Sequence, residues 1–462
     1  MTMWPPDPST LTRPVYRSLA ESLIEAIKAG ELRQGDRLPT HRDLAETLGI
    51  SVQTVSRAYE ELDRAGAISG MVGRGTFVRG SLSDTRPPWH RIGADDEVVD
   101  FSMLTPVTGE IHRERMQAAL AQLARDLPSD DLFSFRPRAT LSTHAEAALG
   151  WLRRCGIETD RGRVLPTNGN TSAMTVALMT AAGPGDLVVC EDLTHHTLKA
   201  LCAYLSLDLR GLATDAEGIV PDAFEKACRG RAVRVLFCMP AGLNPKAATM
   251  SPARRAALVE IARRHDVTIV EDDAWGPIQP RRAPPIAALA PERTFYFTSF
   301  TKPILPGLRY GWLVAPETLV SATSNRHLVT SWMATPLMAE IGTRWLRDGT
   351  ADELLAWQMA ALGERNRLAT EALAGLAPKT SPNGLHVWLP LPDNWDEDAF
   401  VAHARSEGVA VAAGSSFAVD QTARPGGIRI CLGCSSEVGL GRGLEVIARL
   451  VRNQPEPALL TS

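Results

Sequence analysis

Thr298-Ser299-Phe300-Thr301-Lys302-Pro303-Ile304-Leu305-Pro306-Gly307-Leu308-Arg309-Tyr310-Gly311 sets a lysine among hydroxyls, with an arginine seven residues further on. That lysine is one of only six (Lys28, Lys199, Lys226, Lys246, Lys302 and Lys379) against 43 arginines, so chemistry that needs a free amine has few candidates. Outward from it, apolar runs of strand length stand at Leu187-Val188-Val189-Cys190, Val233-Arg234-Val235-Leu236-Phe237-Cys238 and Val267-Thr268-Ile269-Val270. Helical stretches lie at 172–182, 221–227 and 251–264. Strands alternating with helices predict a mainly parallel sheet, in which ligands bind at the strand ends. Polar residues gather there. Leu165-Pro166-Thr167-Asn168-Gly169-Asn170-Thr171-Ser172 opens a helix, whose N–H groups and dipole can hold a phosphate. Met239-Pro240-Ala241-Gly242-Leu243-Asn244-Pro245 puts a side-chain amide just after a strand. Val270-Glu271-Asp272-Asp273-Ala274-Trp275 places carboxylates at another strand end, where burial is costly without a cationic partner.

The N-terminal part follows a different pattern. Leu19, Leu23, Ile24 and Ile27 recur at helical spacing until Gly30 stops the helix. Thr40 can cap a short helix from His41 to Leu48, broken by Gly49-Ile50. Ser51 can cap a third helix, with Val55, Tyr59 and Leu62 on one face and Gly66 at its end. Residues 67–78 read as two short strands about a glycine-rich turn. Helix, turn, helix, hairpin is the order of a winged helix-turn-helix. Residues 81–97 lack periodicity and are rich in proline and polar residues, as a linker is.

Composition bounds the rest. A chain of 462 residues exceeds one ordinary domain, and 44% hydrophobic with 22% charged residues excludes a wholly disordered or collagen-like chain. No run reaches the roughly 18 apolar residues of a membrane span, and Met1-Thr2-Met3-Trp4-Pro5-Pro6 lacks the order of a signal peptide, so a cytoplasmic location is expected. The net charge is -4, but residues 1–80 carry ten basic and ten acidic residues, so local fields decide any nucleic-acid contact. Seven scattered cysteines suit reduced thiols; the one CxxC, Cys431 to Cys434, has no second ligand pair, so packing is the better reading and no metal is expected.

Leu38-Pro39-Thr40-His41-Arg42-Asp43-Leu44-Ala45, Leu48-Gly49-Ile50-Ser51, Thr54-Val55, Ala58-Tyr59 and Gly73-Arg74-Gly75-Thr76-Phe77-Val78, in that order, resemble the GntR family of bacterial transcription factors. The resemblance implies that Arg42, Ser51, Gln53, Thr54, Arg57 and Arg74 meet DNA. Short polar side chains at a helix start and arginines beside phosphates suit that task.

The second part, with Asn-Pro, Asp and Ser-x-x-Lys in order, resembles the fold-type I aminotransferases that use pyridoxal 5'-phosphate. By that resemblance Lys302 forms the Schiff base with the cofactor aldehyde, Asp272 pairs with the pyridine nitrogen and Asn244 bonds the ring hydroxyl. Asn170, Thr171, Ser299 and Arg309 hold the phosphate, and Arg429 in Gly427-Ile428-Arg429-Ile430-Cys431-Leu432 clamps a substrate carboxylate. Two positions where that family has tyrosine differ: Ala274 or Trp275 stands near the ring hydroxyl and His195 at the stacking position, while Thr171 replaces a glutamine. Indole only donates a hydrogen bond, which puts full transamination in doubt.

A GntR-like reader before an aminotransferase-like domain is the arrangement of the MocR/GabR regulators, which this chain resembles over nearly its whole length. The resemblance implies a winged helix-turn-helix at 12–80, a linker at 81–97, an effector domain with large and small subdomains at 98–452 and a tail at 453–462. It also implies a homodimer on operator DNA that senses a small amino compound. Ligands of the family include GABA, taurine, pyridoxal phosphate and amino acids of ectoine breakdown, among which no motif selects. A working aminotransferase that also binds DNA is the alternative reading. A scaffold without cofactor would require Lys302, Asp272 and Asn244 to co-occur by chance. Catalysis gains nothing from a tethered DNA reader whereas sensing needs one, which favours the regulator.

Overall fold

In the computed structural model the chain divides into two compact units, Met1–Ala94 and Asp95–Ser462. The structure describes residues 5–28, 31–32, 36–64, 68–71, 75–78, 98–127, 138–279, 282–420, 422–433 and 436–453. Arg74, Cys434, the whole of the expected linker at 81–97 and all of the expected tail but Asn453 lie outside them.

The first unit has helices Val15–Lys28, His41–Leu48 and Val52–Arg64. An antiparallel hairpin, Ile68–Met71 with Gly75–Val78, sets Ile68 opposite Val78. The expected caps are in place: Thr40 accepts from the Asp43 N–H at 3.3 Å, and Gly49 ends the second helix at φ +63°. Ser51 accepts from the Thr54 N–H at 3.1 Å. Leu19, Leu23, Leu44, Leu48, Val55, Tyr59, Leu62, Ile68 and Val78 are buried in one core. Burial of each leucine contributes about 1.5–3 kcal/mol, and this core fixes the third helix with its polar start outward.

The second unit is built on a seven-stranded sheet. Its order is Val164–Thr167, Gly311–Val314, Thr294–Ser299, Thr268–Asp272, Val233–Cys238, Leu187–Glu191 and Asp208–Leu212. Gly311–Val314 runs antiparallel to both neighbours and the remaining pairs are parallel. The parallel strands are nearly continuous in apolar residues because helices such as Asn170–Ala181 and Pro252–Arg264 cover the sheet. Gly311 permits close approach, since a Cβ there would lie 2.6 Å from Ser299 Cβ. A smaller antiparallel sheet, His386–Pro390, Gly427–Cys431 and Ala412–Ala413, packs under the helix Glu437–Arg452. Val99–Asp100 pairs with Val409–Ala410, which brings residues 101–107 to the sheet ends.

Candidate functional site

The site collects residues at and after the ends of five strands of the large sheet and one residue, Arg429, from within a strand of the small sheet. Thr294–Ser299 ends at Ser299, and the turn after it presents Thr301 and Lys302. The Lys302 amine donates to the Leu104 carbonyl. Burial pushes it from an ordinary 10.5 down to about 8; Arg429 and Arg309 press the same way, while the Cys431 thiol and Asp272 oppose. Asp272, the last residue of its strand, is buried and raised to about 7 by that burial and then by Asp273. The Asn170 amide, the Ala274 N–H and Lys302 hold it back. Asp273 is separately satisfied, by Arg282 at 2.5 Å, the Tyr296 hydroxyl and the Gly276 N–H at 3.2 Å.

Arg429 is buried in the small sheet beside Phe417, with its guanidinium carbon 4.8 Å from that ring centre. It donates to Asn244 Oδ1 at 3.2 Å and to the Ser102 carbonyl. The planar guanidinium is thereby held on two sides by its terminal nitrogens. Opposite lies a cradle. Gly169 takes φ +82° and ψ -179°, a conformation open almost only to glycine, and a Cβ there would sit 3.1 Å from Arg309 Nη2 and 3.6 Å from Thr301 Oγ1. Thr301 Oγ1 is buried without a partner, and Ser299 Oγ accepts from the Thr301 N–H at 3.3 Å. The Arg309 guanidinium is exposed and has no ion pair among the described residues.

In the first unit a groove of about 530 Å³ is lined by Arg13, Tyr16, Ser51, Gln53, Thr54 and Arg57. Arg42, Gln53 and Arg57 are exposed. Ser51 is exposed too; its Oγ caps the helix, as expected, and shares a hydrogen bond with Thr54 Oγ1 at 2.8 Å.

Residues 108–447 match the family "Aminotransferase class I and II". The chain belongs to that family. Residues 15–78 match "Bacterial regulatory proteins, gntR family", so this class I and II aminotransferase domain is fused to a GntR helix-turn-helix, a MocR/GabR-like architecture. The HTH-type transcriptional regulator YdeF of Bacillus subtilis is 26% identical, with 97% of this chain and 96% of YdeF covered. The vitamin B6 salvage pathway transcriptional repressor PtsJ of Salmonella typhimurium is 27% identical, with 89% and 93% covered. Among solved structures, the multiple substrate aminotransferase of Thermococcus profundus shares the fold at TM-score 0.72 and 21% identity, covering 80% of this chain and 95% of that one.

Against the aminotransferase pattern several side chains have tasks other than those expected. Asn170 does not turn to the cradle; its Nδ2 donates to Asp272 Oδ1 at 3.1 Å. Trp275 is buried with its indole N–H on the Gly242 carbonyl at 2.7 Å, so it has no donor left for a ring hydroxyl. His195 caps a helix, its Nδ1 accepting from the Thr197 N–H at 3.3 Å, and stacks on His196 at 4.6 Å. Burial, with His196, Lys302 and Arg429 nearby, lowers it to about 3, so it is neutral and carries its proton on Nε2. Asn244 accepts from Arg429, a pairing no motif announced. Thr171 is exposed at the helix start. The carbonyls of Ser102 and Leu104 and the ring of Phe417 were missed by sequence reasoning, because their neighbourhoods carry no motif.

Proposed function

We propose that this protein is a DNA-binding transcription regulator whose aminotransferase-like unit takes pyridoxal 5'-phosphate at Lys302 and senses an amino-group-bearing metabolite. The observation that carries the reading is the cradle and amine together: an unpartnered buried Thr301 hydroxyl beside Gly169 and Arg309, and a lysine whose ammonium form is disfavoured. These residues fit the cofactor. The backbone N–H groups at 169–172, Thr301, Ser299 and Arg309 would hold its phosphate, Asp272 its ring nitrogen and Lys302 its aldehyde. When bound, the cofactor supplies an aldehyde for amine exchange and an electron-accepting ring.

The chain's own residues do the remaining work. Lys302 gives up its proton more readily than an ordinary lysine, which eases its use as a nucleophile, and takes back a proton when a ligand amine displaces it. Arg429 orients the ligand by its carboxylate where it has one. The neutral His195 offers an Nε2–H donor without adding charge. Sensing then needs only that the ligand favour one arrangement of the protein; a shift from 1:99 to 99:1 takes about 5.5 kcal/mol of differential binding. PtsJ, a repressor by its name and related over most of this chain, supports a regulatory role tied to vitamin B6 chemistry. The regulator acts as a homodimer on two half-sites, since one winged domain offers few base contacts.

The test is operator binding by wild type and Lys302→Ala across a panel of amines and amino acids, with the absorption spectrum recorded alongside. Loss of the response with retained DNA binding supports sensing through Lys302. Sustained release of keto product would favour the working aminotransferase instead.

A further inference from the structure

Asp272 is a buried carboxylate that has no ion pair among the described residues and lies beside a second buried carboxylate, Asp273. Asp273 has its own cation in Arg282, whereas Asp272 takes hydrogen bonds from Asn170 Nδ2 at 3.1 Å and from the Ala274 N–H. A carboxylate so placed is inclined to pick up a proton, and a protonated acid no longer anchors a pyridinium. Asn170 counters this. It is the first residue of the helix Asn170–Ala181, follows Gly169 and caps nothing with its side chain; its Oδ1 is buried without a partner, so the amide is not shared with another group.

We propose that Asn170 is a positioning residue, whose amide keeps Asp272 ionised and aimed at the ring nitrogen of the cofactor rather than holding the phosphate. The inference rests on the cofactor reading above. It divides the 168–172 loop into two functions: the backbone and Gly169 serve the phosphate end, and one side chain serves the opposite end of the same ligand.

The test titrates full-length chain, stripped of cofactor, with pyridoxal phosphate. Asn170→Ala raises the dissociation constant about tenfold, equivalent to about 1.4 kcal/mol. In an Asp272→Asn background the same change has less than a twofold effect, because the carboxylate it serves is gone. Pyridoxal, which has no phosphate, loses the same factor, and this comparison decides alone if Asp272→Asn binds too weakly to measure. Ring-15N-labelled cofactor in Asn170→Ala moves toward the chemical shift of unprotonated pyridine, which a purely structural role would not cause. Asn170→Ser, with a shorter donor, is read in the same way if the alanine variant does not fold. A loss that persists with Asp272→Asn, or appears with pyridoxal phosphate but not with pyridoxal, overturns the assignment. Wild type that takes up no cofactor at all overturns the cofactor reading itself.

Discussion

Replacing Gly169 by alanine strikes the cradle directly. At φ +82° and ψ -179° a residue with a Cβ is strained by about 1–3 kcal/mol, and the added carbon lies 3.1 Å from Arg309 Nη2 and 3.3 Å from Arg309 Cζ. The Arg309 side chain is exposed and can swing aside, so the contact adds little to the cost of folding; the backbone term dominates. If the loop keeps its conformation, the full 1–3 kcal/mol appears as lost stability in urea. If it relaxes, the penalty reappears when the cofactor restores the cradle, as a roughly 5- to 150-fold weaker dissociation constant. Urea unfolding and cofactor titration are therefore measured on the same variant, and the two losses sum to about 1–3 kcal/mol. Gly150→Ala is the control: Gly150 lies in the helix Arg138–Arg154 with open space at its Cβ position, so alanine stabilises by about 0.5–1 kcal/mol and leaves cofactor binding alone. Unchanged stability and unchanged cofactor affinity in Gly169→Ala would refute the cradle.

Lys302→Ala abolishes the near-visible absorption of the bound cofactor and the response to effector while operator binding survives; after borohydride reduction of wild type, peptide mapping finds the label on Lys302, and a label on any other lysine contradicts the site. Arg42→Ala lowers the salt dependence of operator binding by about one phosphate contact, a slope change near 0.9, and leaves the cofactor spectrum unaltered; an unaffected slope removes Arg42 from the interface. Because burial and neighbouring arginines disfavour its ammonium form, Lys302 loses its proton as pH rises through about 8, so cofactor uptake by the stripped chain accelerates up to about pH 8 and then levels; an increase that continues toward 10.5 shows an ordinary, solvated amine. Sedimentation of the free and DNA-bound protein gives a dimer, and a monomer in both states eliminates the two-half-site arrangement.

Much of the fold is legible before any coordinates. The short helix His41–Leu48 stands where its cap and stop residues put it, and the strand at Val233–Cys238 coincides with its apolar run. The strand expected at 267–270 is Thr268–Asp272, so Glu271 and Asp272 belong to the strand itself; Glu271 accepts the Ile286 and Ala287 N–H groups at 3.1 and 2.8 Å, which makes its burial tolerable. Among the described residues no helix is long and apolar enough to cross a membrane.

Caps, periodicity and glycine turns are near-neighbour properties, governed by 3.6- or 2-residue repeats and by side chains within reach of their own backbone, and so a linear reading recovers them. Lys302 is also set apart from the other five lysines in the chain by the hydroxyls and the arginine that flank it. Hydrogen-bond partners are another matter. Asn170 meets Asp272 across 102 residues, Lys302 meets Leu104 across 198, and Arg429 meets Asn244 across 185 and Ser102 across 327. Each of these donors has several chemically equivalent acceptors in the sequence. Strand order brings a few of them within 3 Å or so, and burial then forces each polar atom to take the partner at hand, so the division of labour among the site residues is a property of the packed sheet alone.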